Sequence, residues 1–315
     1  MSFALNDRAR RLLDRMVADA TLLRVTPVDL AGATVVDAGI KTPGGLEAGL
    51  LLARICLADL AAVEIVPGGI DDYFCPMVHV RCDHPVAACL GSQYAGWQVA
   101  VNGYFAMASG PMRAIAGREP IFAELGLAEL SDHAVGVMET GKLPTAEVVE
   151  YLADRLKLPP GQLKLAVAPT GSLAGSLQVV ARSLETALHQ MHEIHFPLDT
   201  IVSGIGSAPL APPCPDMVGA IGRTNDAILY GGRVEIWVRA EDALLAELGP
   251  KLPSTASPAH GQPFAEIFRE AGGDFYKIDP RLFAPGEVVL RNLSSGRTHR
   301  FGRLEPNLVR RSFGG

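Results

Sequence analysis

An arginine and a glutamate three residues apart, Arg182 and Glu185, are the pair in this chain best suited to acid–base chemistry. Around them Leu177, Val180, Ala181, Leu184, Leu188 and Met191 recur at helical spacing, which predicts one helix from about Gly171 to His192 with a single buried stripe. At about 3.6 residues per turn, Gln178, Arg182, Glu185, His189 and His192 then share one flank of that stripe. A polar row beside an apolar seam lies at the edge of a core, where a cleft can form. There a carboxylate can take a proton from water or return one to a leaving nitrogen, while the guanidinium orients it. The same spacing also suits a plain exposed ion pair, which contributes well under about 1 kcal/mol. His189, His192 and His195 do not have the spacing of a helical zinc motif and fan around the helix, so no metal site is predicted.

Other residues carry weaker signals. Tyr94, Trp97, Tyr104 and Phe105 have rings that can stack on a flat ligand or fill a core. Asn225 and Asp226 can hydrogen-bond a heterocycle edge or form a turn. Gly44, Gly45, Gly171 and Gly175 allow either close approach of backbone to a ligand or ordinary turns, and neither a Walker nor a dinucleotide fingerprint accompanies them. Ser109, Gly110 and Pro111, followed by Arg113, read as a turn into a helix whose N-terminus suits a polar ligand group. The five cysteines are odd in number and lack a Cys-x-x-Cys pair, which points to buried thiols rather than disulfides or zinc.

The elements that must position these groups mix irregularly. Leu5 to Asp19 reads as an amphipathic helix, and helices are predicted from Leu46, Thr145, Glu241 and Phe264. Strands are predicted at 33–40, 63–66, 77–81, 135–139, 163–168 and 234–238, with a hairpin at 288–292 and 298–301. This order lacks a βαβ rhythm, so the fold class expected is α+β rather than a doubly wound sheet. The stretch 250–263, with Pro250, Pro253, Pro258 and Pro263, reads as a linker or mobile loop. With 315 residues, 48% of them hydrophobic and 20% charged, the chain can bury a large core. A net charge of −6 gives no basic stripe for nucleic acid, and the basic run from Arg291 to Arg311 reads as a solvated strand pair. No apolar run is long enough to cross a bilayer and no signal core follows the N-terminus, so the expected location is cytoplasmic.

Several blocks together resemble one family. They are 39–49 (GIKTPGGLEAG), 92–97 (SQYAGW), 108–113 (ASGPMR), 142–144 (KLP), the run from Ala168 through Arg182 to Glu185, 207–212 (SAPLAP) and 224–226 (TND). In order and spacing this pattern is similar to the methenyltetrahydromethanopterin cyclohydrolases, across roughly residues 1–310. The resemblance implies reversible hydrolysis of the methenyl-tetrahydromethanopterin cation to the 5-formyl compound. It further implies one unit of two intertwined α+β subdomains with a pterin pocket between them, and a homotrimer. The family's catalytic glutamate and its partner arginine match Glu185 and Arg182. Gln93, Tyr94, Ser109, Gln178, Asn225 and Asp226 are the expected substrate-binding residues. No cofactor and no metal are expected, because the substrate carbon sits between two nitrogens and is already electrophilic. From the sequence, burial would raise the proton affinity of Glu185, whereas Arg182 and the substrate cation would lower it. A cyclohydrolase acting on folate or another pterin, and a non-catalytic pterin- or nucleotide-binding scaffold, remain open at this point.

Overall fold

Leu5, Ala9, Leu12, Leu13 and Met16 bury one face of the first helix, Leu5–Ala18, as their spacing requires. That face packs on the helix Leu46–Cys56. The computed structural model describes residues 3–314, and the chain divides into two compact units. One contains residues up to Ala61 together with Ala87–Gln178, and the other contains Ala62–Val86 together with residues from Val179 onward.

The first unit is built on a mixed six-stranded sheet. Its order is Thr26–Leu30, Ala33–Asp37, Leu163–Ala168, Ala134–Glu139, Tyr104–Ser109 and Trp97–Val101. The strands Ala33–Asp37, Leu163–Ala168 and Ala134–Glu139 run parallel, flanked by antiparallel neighbours. Both faces of this centre are covered. Val36 and Ala166 join Leu13 and Leu52 in one core, whereas Val35 and Leu165 join Val148 and Leu152 in another. Burial on both faces explains why these strands read as continuous apolar runs. Thr145 caps the helix Ala146–Leu156, its hydroxyl oxygen accepting from Val148 N–H at 3.4 Å.

The second unit has its own six-stranded sheet, ordered Thr298–Gly302, Glu287–Asn292, Arg233–Val238, Ile201–Pro209, Met77–Cys82 and Ala61–Val66. The helix Ser183–Glu193 lies against Ile201–Pro209 at two glycines. A Cβ on Gly204 would sit 2.7 Å from Leu184 Cδ1, and one on Gly206 would sit 2.5 Å from Ser183 Oγ. The strand gives up side chains there so that the helix can approach. Residues 249–263 follow the helix Asp242–Leu248 as the 3-10 turns Gly249–Lys251 and Ser254–Ala256, with Ser254 buried and donating to Leu229 O at 2.6 Å. In the basic run, Arg291 pairs with Glu235, Arg303 with Glu305, and Arg310 and Arg311 with Asp72 and Glu266.

The fold is thus α+β, with two mixed sheets. Among the described residues no helix is long and apolar enough to cross a membrane, and the five cysteines form no disulfide, four of them being buried.

Candidate functional site

The single helix expected around Arg182 is two helices. The first, Leu173–Val180, starts after Ser172, whose hydroxyl oxygen accepts from Gly175 N–H at 3.0 Å. It stops at Val180, and the second runs Ser183–Glu193. Arg182 stands just ahead of the second helix with φ −86° and ψ 4°, and its carbonyl accepts from Thr186 N–H at 2.9 Å. The boundary between the two units, between Gln178 and Val179, falls inside the first helix, two residues before its end. Gln178 therefore lies on the first helix and does not share a helix flank with Arg182 and Glu185.

Arg182 and Glu185 are both buried, at 7% and 4% exposure. This removes the exposed-pair reading, in which the side chains would be solvated. Glu185 lies in the first turn of its helix, where the unpaired N–H groups and the helix dipole favour a negative charge. His189 Nε2 and His192 Nδ1 both lie 3.7 Å from Glu193 Oε1, and His195 leaves the helix with a left-handed φ of 58°. Among the described residues no group of three or more His, Cys, Asp or Glu side chains is placed to hold a metal ion.

In the first unit the structure brings together Ser109 and Gln178, through a residue the sequence did not single out. Cys56 Sγ lies 3.4 Å from Ser109 Oγ and 3.8 Å from Gln178 Oε1. Because an amide oxygen only accepts, the thiol proton points to Gln178. The Cys56 carbonyl in turn accepts from Ser92 Oγ at 2.6 Å. Ser92 and Gln93, both fully buried, end the helix Val86–Gln93, which is a π-helix throughout its eight residues. π-helical backbone is rare, and its usual single-turn form is frequent at functional sites. Tyr94 follows it, with its ring 5.0 Å from the Arg113 guanidinium carbon. Trp97 and Tyr104 are core residues, whereas Phe105 is half exposed. Arg113 itself lies in the short helix Met112–Ala116 and is fully buried.

Two carboxylates at strand ends were also missed. Asp37 and Glu139 close the two parallel strands that flank Leu163–Ala168, in register with Val167 and Ala168 respectively. Asp37 accepts from the N–H groups of Gly39, Ile40 and Lys41 at 2.7–3.0 Å, and Glu139 accepts from the Thr170 hydroxyl. Glu139 closes its predicted strand, which was the available signal, since ligands of parallel sheets gather at carboxyl ends, whereas Asp37 lies inside the predicted strand 33–40, which the structure ends three residues earlier.

Asn225 and Asp226 lie within the helix Met217–Leu229 and not in a turn. Asn225 Nδ2 donates to Ile221 O at 2.8 Å, one helical turn back. Asp226, 1% exposed, accepts from Phe264 N–H at 2.8 Å and so ties down the start of the helix Phe264–Glu270. Burial pushes its carboxyl up to about 7, against the opposing pull of Ser312 and of the Phe264 N–H.

Over nearly its whole length this chain of two α+β units is similar to cyclohydrolases. The family model described as cyclohydrolase (MCH) matches residues 4–313. The methenyltetrahydromethanopterin cyclohydrolase of Rhodopirellula baltica is 51% identical over 297 residues, covering 93% of this chain and 89% of that protein. The protein of the same name from Methylobacterium organophilum is 49% identical over 315 residues, with 98% and 97% covered. That of Methanosarcina barkeri is 40% identical over 316 residues, with 99% and 98% covered. The chain belongs to the methenyltetrahydromethanopterin cyclohydrolase family.

Proposed function

We propose that this chain adds water reversibly to the methenyl-tetrahydromethanopterin cation, giving the 5-formyl compound and a proton. Water oxygen bonds to the methenyl carbon while Glu185 takes one of the water's protons. Glu185 then delivers that proton to the nitrogen opposite N5 as its bond to carbon breaks. The remaining hydroxyl proton goes to solvent, leaving the formyl group on N5. A single carboxylate serves both transfers in turn. Arg182 holds and orients it, a task that suits a planar guanidinium.

Family membership over nearly the whole chain supports this reading, and so does the burial of Arg182 and Glu185. Gln93, Tyr94, Ser109 and Gln178 are proposed to contact the pterin. Asn225 and Asp226 are weaker candidates, because each is engaged with its own or a neighbouring helix. A homotrimer is proposed as the working assembly.

The test is the loss of methenyl-cation absorbance on adding purified protein. Rapid loss with the tetrahydromethanopterin derivative and little with its tetrahydrofolate counterpart supports the reading. The reverse preference would make this a folate enzyme, and no loss with either would leave a binding protein.

A further inference from the structure

We propose that Arg113 is a positioning residue: its buried guanidinium clamps the last turn of the Val86–Gln93 π-helix and thereby fixes Gln93 and Tyr94 for the pterin. The inference rests on the proposed function and adds a residue that never touches the substrate. The last carbonyls of any helix lack partners within it. Here Leu90 O and Ser92 O both accept from Arg113 Nη1, at 3.3 and 3.2 Å. Ser92 O accepts in addition from Gly110 N–H at 2.9 Å, and Tyr94 N–H reaches back to Cys89 O at 2.8 Å in the i to i−5 pattern of the π-helix.

The charge is balanced on the spot. Arg113 is 0% exposed, and a buried cation requires a counter-charge. Glu119 supplies it as a fork, Oε1 accepting from Nε at 3.3 Å and Oε2 from Nη2. The rings of Tyr94 and Phe122 lie 5.0 and 5.2 Å from the guanidinium carbon, within cation–π range. Gly96 closes the cluster, since a Cβ there would stand 2.6 Å from both Glu119 Oε2 and Tyr94 Cε1. A buried ion pair is a poor source of stability compared with apolar packing. What this one does is specific: it reads two carbonyls of an unusual backbone and one ring beside it. Lysine has the charge without the fork and cannot reach Glu119 and both carbonyls together.

Steady-state hydrolysis of the methenyl cation by Arg113→Lys and Gly96→Ala tests this, with circular dichroism to confirm the fold. Displaced binding groups weaken ground state and transition state alike, so KM should rise at least about tenfold while kcat stays within about threefold. If Arg113→Lys does not fold, Gly96→Ala carries the test, because it presses on the same carboxylate and ring without removing a charge. Folded variants with unmoved KM, or with kcat lost at unmoved KM, would overturn the inference while leaving the function intact. A parent protein that does not hydrolyse the cation would remove both.

Discussion

Replacing Asp226 by asparagine should make the chain more stable in neutral and alkaline solution and change little in acid. The carboxyl is 1% exposed and is pushed from 3.8 up to about 7 mainly by burial. The folded protein therefore holds this proton more tightly than the unfolded chain does. Folding is favoured where the proton is on, and the advantage is lost as pH rises through about 7. At about 1.4 kcal/mol per pH unit, the ionised carboxylate costs at most about 4 kcal/mol near pH 8 and below about 1 kcal/mol near pH 4. Asparagine keeps an oxygen for Phe264 N–H and carries no charge to desolvate. Thermal melts of parent and Asp226→Asn at both pH values provide the assay. A gain of several degrees near pH 8, from about 2–4 °C per kcal/mol, should shrink to almost nothing near pH 4. A variant less stable near pH 8 would refute the reasoning, because the charge would then be compensated by something stronger than Phe264 and Ser312. Measuring KM in the same variant separates this tie from a pterin contact, which would raise KM.

Arg182→Lys should lower turnover at least about tenfold with an unchanged melting temperature, since a point charge replaces a planar fork; turnover near the parent value would reduce Arg182 to a buried counter-ion. Cys56→Ala removes the thiol shared by Ser109 and Gln178 and should raise KM about three- to tenfold at a stability cost of about 1 kcal/mol, whereas an unmoved KM would take that trio out of the binding site. Light scattering of the active protein should give about three times the 33.3 kDa chain mass, and a fully active monomer would contradict the proposed trimer.

The fold class was legible because the central strands carry their burial in their residue types. The apolar run Leu163–Ala168 and the β-branched run within Ala33–Asp37 stand out without any tertiary information. Ile201–Pro209 did not stand out, because Gly204 and Gly206 replace strand-forming residues to admit the helix Ser183–Glu193, a packing demand that propensity cannot show. The hairpin of Trp97–Val101 and Tyr104–Ser109 was available, since Asn102 and Gly103 at its tip both have positive φ, the pattern of a tight two-residue turn. Arg182 and Glu185 were visible from residue type and spacing. Their separation from Gln178 was not, because periodicity continues across Ala181 and Arg182 while the backbone breaks there. The contacts of Cys56 and Arg113 were hidden for a different reason: a lone thiol and a lone arginine acquire a role only once distant carbonyls and hydroxyls are brought to them.

The most direct test of the account is a comparison of parent and Glu185→Gln in the methenyl-cation absorbance assay, with substrate affinity measured separately by titration. Glutamine keeps the size and the hydrogen-bonding oxygen but cannot take or return a proton. Turnover should fall by at least about a thousandfold, with affinity within about threefold of the parent, because the lost group acts in the transition state. A Glu185→Gln variant that retains most of its turnover would contradict the central claim and would pass the proton-transfer role to another carboxylate, with Glu139 beside Thr170 the first to examine.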